Sequence, residues 1–275
     1  MEIKPKKIYY LSYDGILNAL GESQILNYVL ILSNFGKVNL LTFEKLTDLS
    51  NNFYFKKVSK KLKSNNIFWI RKKYFYNSLK FFHVIYIFFI TIYYSIYFTI
   101  NNKFTFHVRG YFPLFFLIIP SLFFKLKIIF DTRGFWHHEK KDRMGWKNNS
   151  ISFLIINLLE KYFVKKCNYI ICLTSDAKQH LSQYIDTKKI HVIPTCADTS
   201  KYTFLNNKEN KNNKINLCYM GSTSKAYNFQ KIIKIFSSLY NIDKNYNLFI
   251  FTNNQYSHII DEINKINFIK KKNNI

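Results

Sequence analysis

The chain has 275 residues, 48% of them hydrophobic, and a formal charge of +25 from 41 Lys and Arg against 16 Asp and Glu. Such a length excludes one small domain and provides for two, at roughly 100 to 200 residues per domain. The cationic excess draws anionic partners such as nucleic acid, anionic lipid or phosphorylated substrates, although the joint over-use of Lys, Asn, Ile, Phe and Tyr is also what an AT-rich coding bias produces.

Ile8 to Tyr13 reads as a buried first strand, followed by the loop DGILNALGESQ with Gly15 and Gly21. Ile25 to Phe35 has apolar residues at helical spacing, and Lys37 to Phe43 reads as a second strand. This is a βαβ opening. A glycine-bearing loop between a first strand and a first helix lets the backbone approach a ligand, and free N–H groups at a helix start favour an anion. The spacing differs from G-x-G-x-x-G, and any tight turn takes glycine equally well.

Asp48 to Lys80 is polar, basic and aromatic, including Arg71-Lys72-Lys73-Tyr74, and reads as a loop or helix over the sheet edge with a cationic face. Val84 to Ile100 is wholly uncharged. Its length is at the lower limit of a membrane-spanning helix, but its Tyr and Thr content and its position between strands favour a buried crossover helix. An interfacial helix resting on anionic lipid is the second reading, given the cations just upstream.

The stretch FHVRGYFPLFFLIIPSLFFKLKIIFDTRGFWHHE, from Phe106 to Glu139, is two short apolar strands ending abruptly in charge, joined by an apolar connection suited to a buried helix. In open α/β sheets ligands bind outside the carboxyl ends of the strands, which places His107, Arg109, Asp131, Arg133 and Glu139 on the functional rim. A simple pairing of Asp131 with Arg133 across a turn is the plainer alternative. The adjacent His137 and His138 read as a solvated turn, not a metal ligand set. KKDRMGWKNNS reads as a mobile loop, and Ile151 to Cys167 as a helix. Tyr169 to Leu173 is a strand, Thr174-Ser175-Asp176 an N-cap cluster for a helix through Tyr184, and His191 to Pro194 a short strand.

Lys201 to Lys214 is a polar linker between a domain at 1–200 and a second that begins at 215. There, Ile215 to Met220 leads into Gly221-Ser222-Thr223-Ser224-Lys225, Phe229 to Tyr240 is helical, and Asn247 to Thr252 is a strand. Tyr256 to Ile263 is expected to be a helix and Ile266 to Ile269 a third strand. The four cysteines, Cys167, Cys172, Cys196 and Cys218, lack metal-ligand spacing and read as small buried hydrophobes in a reducing compartment. The start MEIKPKKIYYLSYDG lacks the apolar core of a cleavable signal peptide, so a cytoplasmic location is expected.

In order, IYYLSYDGILNALGESQ, FHVRGY, FDTRGFWHHE, IICLTSDA, VIPTCAD and LCYMGS give an α/β chain that resembles the family-4 type of nucleotide-sugar-dependent glycosyltransferase with the GT-B fold, two Rossmann-like domains facing a cleft. The resemblance implies a retaining, metal-independent hexosyltransferase with no cofactor beyond its nucleotide-sugar substrate, acting on a lipid-linked or polysaccharide acceptor in surface-glycan synthesis. It would be peripheral to the inner face of the membrane. It implies that Asp14, Gly15, Gly21, Glu22, Ser23 and Gln24 face the acceptor or transferred sugar. His107, Arg109, Asp131, Arg133 and Glu139 would shape the catalytic side, while Gly221, Ser222 and Lys225 would approach the donor diphosphate. Thr195 and Cys196 stand where the family has asparagine and glycine, and Ser224 where a second glycine is common. The family's paired glutamates fall beyond Ile275, so the second domain is expected to be incomplete, and a non-catalytic acceptor- or lipid-binding remnant is the alternative. Nucleic-acid binding is disfavoured because the aromatics fall in apolar runs and no recognition motif is present.

Overall fold

The computed structural model describes residues 6–74, 80–102, 104–145, 147, 150–199, 214–223, 227–252 and 256–264. It divides into two compact units, Met1–Lys201 and Tyr202–Ile275. The linker expected at Lys201 to Lys214 lies outside the described residues except for Lys214, and the strand expected at Ile266 to Ile269 lies wholly outside them.

The first unit opens with β1 (Lys6–Ser12), α1 (Ala19–Gly21), a π-helical turn (Glu22–Leu26), α2 (Asn27–Ser33) and β2 (Gly36–Lys45). Then come α3 (Leu46–Leu49), α4 (Asn52–Ser64), β3 (Phe68–Tyr74), α5 (Lys80–Asn102), β4 (Thr105–Arg109), α6 (Tyr111–Phe123) and β5 (Lys127–Asp131). The unit closes with α7 (Trp136–Met144), α8 (Ile151–Lys166), β6 (Tyr169–Cys172), α9 (Ser175–Leu181) and β7 (Ile190–Val192). These strands form one seven-stranded sheet in the order β3-β2-β1-β4-β5-β6-β7, with every pair parallel.

Parallel strands are covered by helices on both faces, and the residues of β1 sort accordingly. Ile8 and Tyr10 join a core with Val29 of α2 and with Val58 and Leu62 of α4. Tyr9 and Leu11 point the other way, into a core with Ile87 and Phe98 of α5, Leu114 and Leu117 of α6, and Phe163 and Val164 of α8. The α/β reading of the sequence holds.

Four sequence readings change. Asp48 to Lys80 contains β3, an edge strand: its three consecutive cations, Arg71, Lys72 and Lys73, are exposed or half-buried where one side of the strand is free, and Arg71 lies 4.4 Å over the Phe55 ring. The uncharged helix is longer than expected and buried on one face only, through Ile87, Thr91, Ser95 and Phe98. It is the one described helix long and apolar enough to cross a membrane, yet Phe98 packs on Tyr9 of the sheet at 4.6 Å between ring centroids. The segment after Glu139 continues as helix to Met144 and is not a loop at its start. Among the cysteines, all free, Cys167 and Cys172 are buried but Cys196 and Cys218 are exposed.

In the second unit β8 (Ile215–Met220) and β9 (Tyr246–Phe251) pair in parallel, with α10 (Phe229–Ile242) and α11 (Tyr256–Asn264) beside them. Phe229, Ile233 and Ile263 form its small core, with Tyr219, Leu248 and Ile250 packed against it.

Candidate functional site

The sheet order runs outward in both directions from neighbours β1 and β4, so the chain reverses there. Such a switch point opens a crevice at the carboxyl ends of the strands, where ligands of open α/β sheets bind. Ser12 ends β1 in register with Arg109 of β4, and Arg109 is in register with Asp131 of β5. The three residues are buried.

The loop after β1 is held by a carboxylate from the next strand. Buried Glu44 of β2 accepts the Ile16 N–H at 2.9 Å, the Leu17 N–H at 3.2 Å and the Thr42 hydroxyl at 2.6 Å, while the Trp69 indole donates to that hydroxyl at 2.8 Å. Burial pushes the Glu44 carboxyl up, against the pull of these donors. The two glycines serve close approach. A Cβ on Gly15 would sit 2.3 Å from Glu44 Oε2, and one on Gly21 would sit 1.9 Å from the Gly15 carbonyl oxygen. The Gly21 N–H is taken by Asn18 Oδ1 at 2.8 Å.

This packing starts the helix, whose π-helical turn carries Gln24 over the strand ends. Gln24 Oε1 accepts from Arg109 Nη2 at 2.5 Å and from Arg133 Nη2 at 3.0 Å. Both guanidinium groups also face Asp131, at 3.6 Å from Arg109 and 3.5 Å from Arg133. Arg133 Nη2 donates further to Thr195 Oγ1 at 3.1 Å, in the segment after β7. Burial pushes the Asp131 carboxyl up while Arg133 and Arg109 hold it down. Burial, and then the Asp131 charge, push the nearby Tyr28 phenol up to about 12. Two cations against one acid leave positive charge at the strand ends, and Arg109 Nε and Nη1 are buried with no hydrogen-bond partner among the described residues, Nη1 lying 3.6 Å from Asp131 Oδ2. Buried guanidinium donors without hydrogen-bond partners favour an anionic or polyhydroxylated ligand.

Of the sequence-predicted residues, Gln24, Arg109, Asp131 and Arg133 converge, and Gly15 and Gly21 build the turn beneath them. His107 lies on the same face of β4 as Arg109 but one layer deeper: it is stacked on Tyr10 at 4.6 Å and edge-on to Tyr28 at 5.4 Å, and burial pulls its imidazole down to about 3. Asp14 and Ser23 are exposed, the Ser23 hydroxyl donating to the Leu20 carbonyl. Glu22 lies beside Tyr54. Glu139 is exposed in the first turn of α7, its carboxylate against Gly134. In the second unit the Gly221 N–H donates to the Phe251 carbonyl at 3.0 Å, and the Tyr219 hydroxyl donates to the Ser222 carbonyl at 2.6 Å. Lys225 lies outside the described residues.

Beside Arg133, a second buried carboxylate anchors the rim. Glu160 of α8 accepts the Trp136 N–H at 2.6 Å and the His137 N–H at 3.4 Å, capping α7, and is paired with His137 Nδ1. The two histidines are therefore on a helix, with His137 buried, and not on a solvated turn. Among the described residues no group of three or more His, Cys, Asp or Glu is placed to hold a metal ion. Glu44, Tyr28 and the capping role of Glu160 were not read from the sequence, and Thr195 was read there only as a departure from the family pattern. A lone acid closing the apolar run Val38 to Phe43 was the available signal for Glu44.

No protein-family model matches the chain, and no curated protein matches it. Solved structures do. The crystal structure of TarM superposes with a TM-score of 0.60 at 9% identity, over 96% of this chain and 75% of that one. Sucrose-phosphate synthase from Thermosynechococcus elongatus gives 0.59 at 9%, over 96% and 68%. This chain has the GT-B fold. A putative UDP-N-acetylglucosamine 2-epimerase from Listeria monocytogenes also matches it, at 0.58 and 11%, over 96% and 67%. The chain spans 65% of the length of the S. aureus MnaA structure, solved with UDP, which matches at 0.54 and 13%. Within this GT-B chain, the arginine crevice belongs to the first unit and the Gly221 turn to the second.

Proposed function

We propose that the chain acts in sugar transfer from a nucleotide-sugar donor to a glycan or lipid-linked acceptor. The observation that carries this is the pair Arg109 and Arg133 sharing Gln24 and Asp131 at the sheet's switch point. In this reading preorganised guanidinium donors at the strand ends hold an anionic or hydroxyl group of the substrate and stabilise charge that develops beside it without reorganising. Arg133, the more exposed of the two, meets the ligand, and Arg109 holds Gln24 and Asp131 in line. Glu44 acts through the backbone as a positioning residue for the loop. The Gly221–Ser222 turn is assigned to the donor diphosphate, where a residue without Cβ allows close approach. The similarity to TarM and sucrose-phosphate synthase supports the fold on which the reading rests. Retention of anomeric configuration and a surface polysaccharide as product follow from the family resemblance and form part of the proposal.

The test is calorimetric titration of the 275-residue chain with UDP, GDP and their sugar conjugates, followed by nucleoside diphosphate release with lipid-linked and glycan acceptors. We expect acceptor-dependent release that falls at least about tenfold in Arg133→Gln, the scale of one charged hydrogen bond. A folded chain that binds no nucleotide refutes the transfer reading. An isomerised nucleotide-sugar with no diphosphate released assigns epimerase chemistry instead.

A further inference from the structure

Helices α5, α6 and α8 form one contiguous layer over the sheet, α6 touching both neighbours. A layer in this position ordinarily buries its inner face and turns polar residues outward. Here the outer face is apolar. Along α5, Phe82, Phe89, Tyr93 and Ile100 are exposed at spacings of seven, four and seven, one stripe opposite the buried Ile87, Thr91 and Phe98. Along α8, Ile151, Leu154, Ile155, Leu158 and Tyr162 form a second stripe, with Ile151 76% and Leu158 65% exposed, opposite the buried Phe153, Glu160 and Phe163. Leu122 and Phe123, at the end of α6, are exposed between them.

The charge on this layer is one-sided. Its described helices contain a single acid, Glu160, which is buried and committed to α7. Cations follow the apolar stripes at the amino-terminal edge of the sheet. Lys165 and Lys166 close α8 in line with Leu158 and Tyr162, and exposed Lys125 and Lys127 follow Phe123 into β5. We propose that this face rests on an anionic membrane leaflet, its apolar stripes at the acyl boundary and its lysines among the headgroup phosphates. An apolar stripe flanked by lysine and carrying tyrosine is what an interfacial surface requires, since lysine stems lie along apolar surface while their charges reach phosphate. Burial of the inner face of α5 against β1 keeps that helix on the leaflet and not across it. A second copy is the poorer occupant, because it would add its own lysines to a layer that has no exposed acid to offset them. The inference stands apart from the transfer reading, and its test reads binding, not turnover.

The experiment is co-sedimentation of the full 275-residue chain with phosphatidylcholine vesicles and with mixed phosphatidylcholine and phosphatidylglycerol vesicles. We expect binding to the mixed vesicles that weakens with salt. Lys165→Gln with Lys166→Gln should weaken it about fivefold per lysine. Leu158→Gln should weaken it roughly tenfold to hundredfold, as for one aliphatic side chain withdrawn from the apolar phase. Both sites are exposed, and an unchanged circular dichroism spectrum and melting midpoint confirm folding. In addition, the fluorescence of Leu158→Trp should be quenched by brominated lipid, and that of Phe53→Trp, on exposed α4 across the sheet, should not. No preference for anionic vesicles, or equal quenching at the two positions, overturns the proposal. So does a dimer in sedimentation velocity that Leu158→Gln dissolves, which would assign the face to a second copy.

Discussion

The two helix layers on the first sheet are built alike inside and differently outside. On one face α2 and α4 bury Val29, Val58 and Leu62, and the exposed residues of α4 are mostly lysines, Lys56, Lys57, Lys60 and Lys61 among them, with Phe53 of α4 and Ile31 of α2 exposed singly. On the other, α5, α6 and α8 bury an equally continuous core and then expose phenylalanine, tyrosine and leucine. Even the anchoring device is repeated: Glu44 holds two backbone N–H groups on the first side and Glu160 two on the second. Folding therefore does not account for the difference, because both inner faces satisfy it. The asymmetry lies where only a partner or a solvent other than water would sense it.

The largest effects should show the inner faces to be equivalent. Leu40→Ala and Leu117→Ala, at fully buried positions in the two cores, should each cost about 2–5 kcal/mol in urea unfolding. A difference well outside that range on one side would mean that the layers are unequally packed, which breaks the comparison.

The next effect depends on pH and belongs to the α2 side. His107 is neutral in the fold, its imidazole pulled from 6.5 to about 3. As pH falls below about 6.5 the unfolded chain takes up a proton that the folded chain refuses, so this contribution to stability is lost progressively toward pH 3. Between pH 6.5 and 4 the loss should be about 3 kcal/mol, and His107→Phe should remove it from the pH profile of unfolding. A profile unchanged by the substitution would show that another group sets the acid limb.

Glu44→Ala and Glu160→Ala each leave buried amides without an acceptor and should cost about 1–3 kcal/mol, with Glu44→Gln milder because one carbonyl oxygen remains. Thermal unfolding decides this. The smallest effects belong to the outer faces: Leu158→Gln and Lys60→Gln should each change stability by less than about 0.5 kcal/mol. Only the former should reduce the binding of a dye that reports exposed apolar surface. That pair sharpens the contrast most directly, since it isolates the outer surfaces from the fold.

The sequence made the sheet largely legible, because buried parallel strands such as IYYLS and HVR are apolar runs that end in charge. It did not show β3, since FWIRKKY carries cations that only an edge strand tolerates. Arg109, Asp131 and Arg133 were legible as rim residues from their places after strands. The partners that fix them were not, because Gln24 reaches Arg133 over 109 residues and Glu44 reaches Ile16 over 28, contacts that no local pattern encodes. His107 shares the face of Arg109, and its packing against Tyr10 and Tyr28, one layer below the strand ends, was not legible from the strand pattern. An uncharged run likewise reveals that α5 is apolar without revealing how much of it the core uses.

The π-helical turn at Glu22–Leu26 has a consequence for comparing this chain with others. Such a turn is a helix holding one residue more than its regular pitch allows, and each residue of regular helix turns by about 100°. A chain with one residue fewer between Gly21 and Asn27 would run as an unbroken α-helix and point a different side chain at the two arginines. Any alignment of this stretch with such a chain has to open a one-residue gap there, and equivalence is then set by which amide reaches Arg109 and Arg133 and not by counting from the glycine.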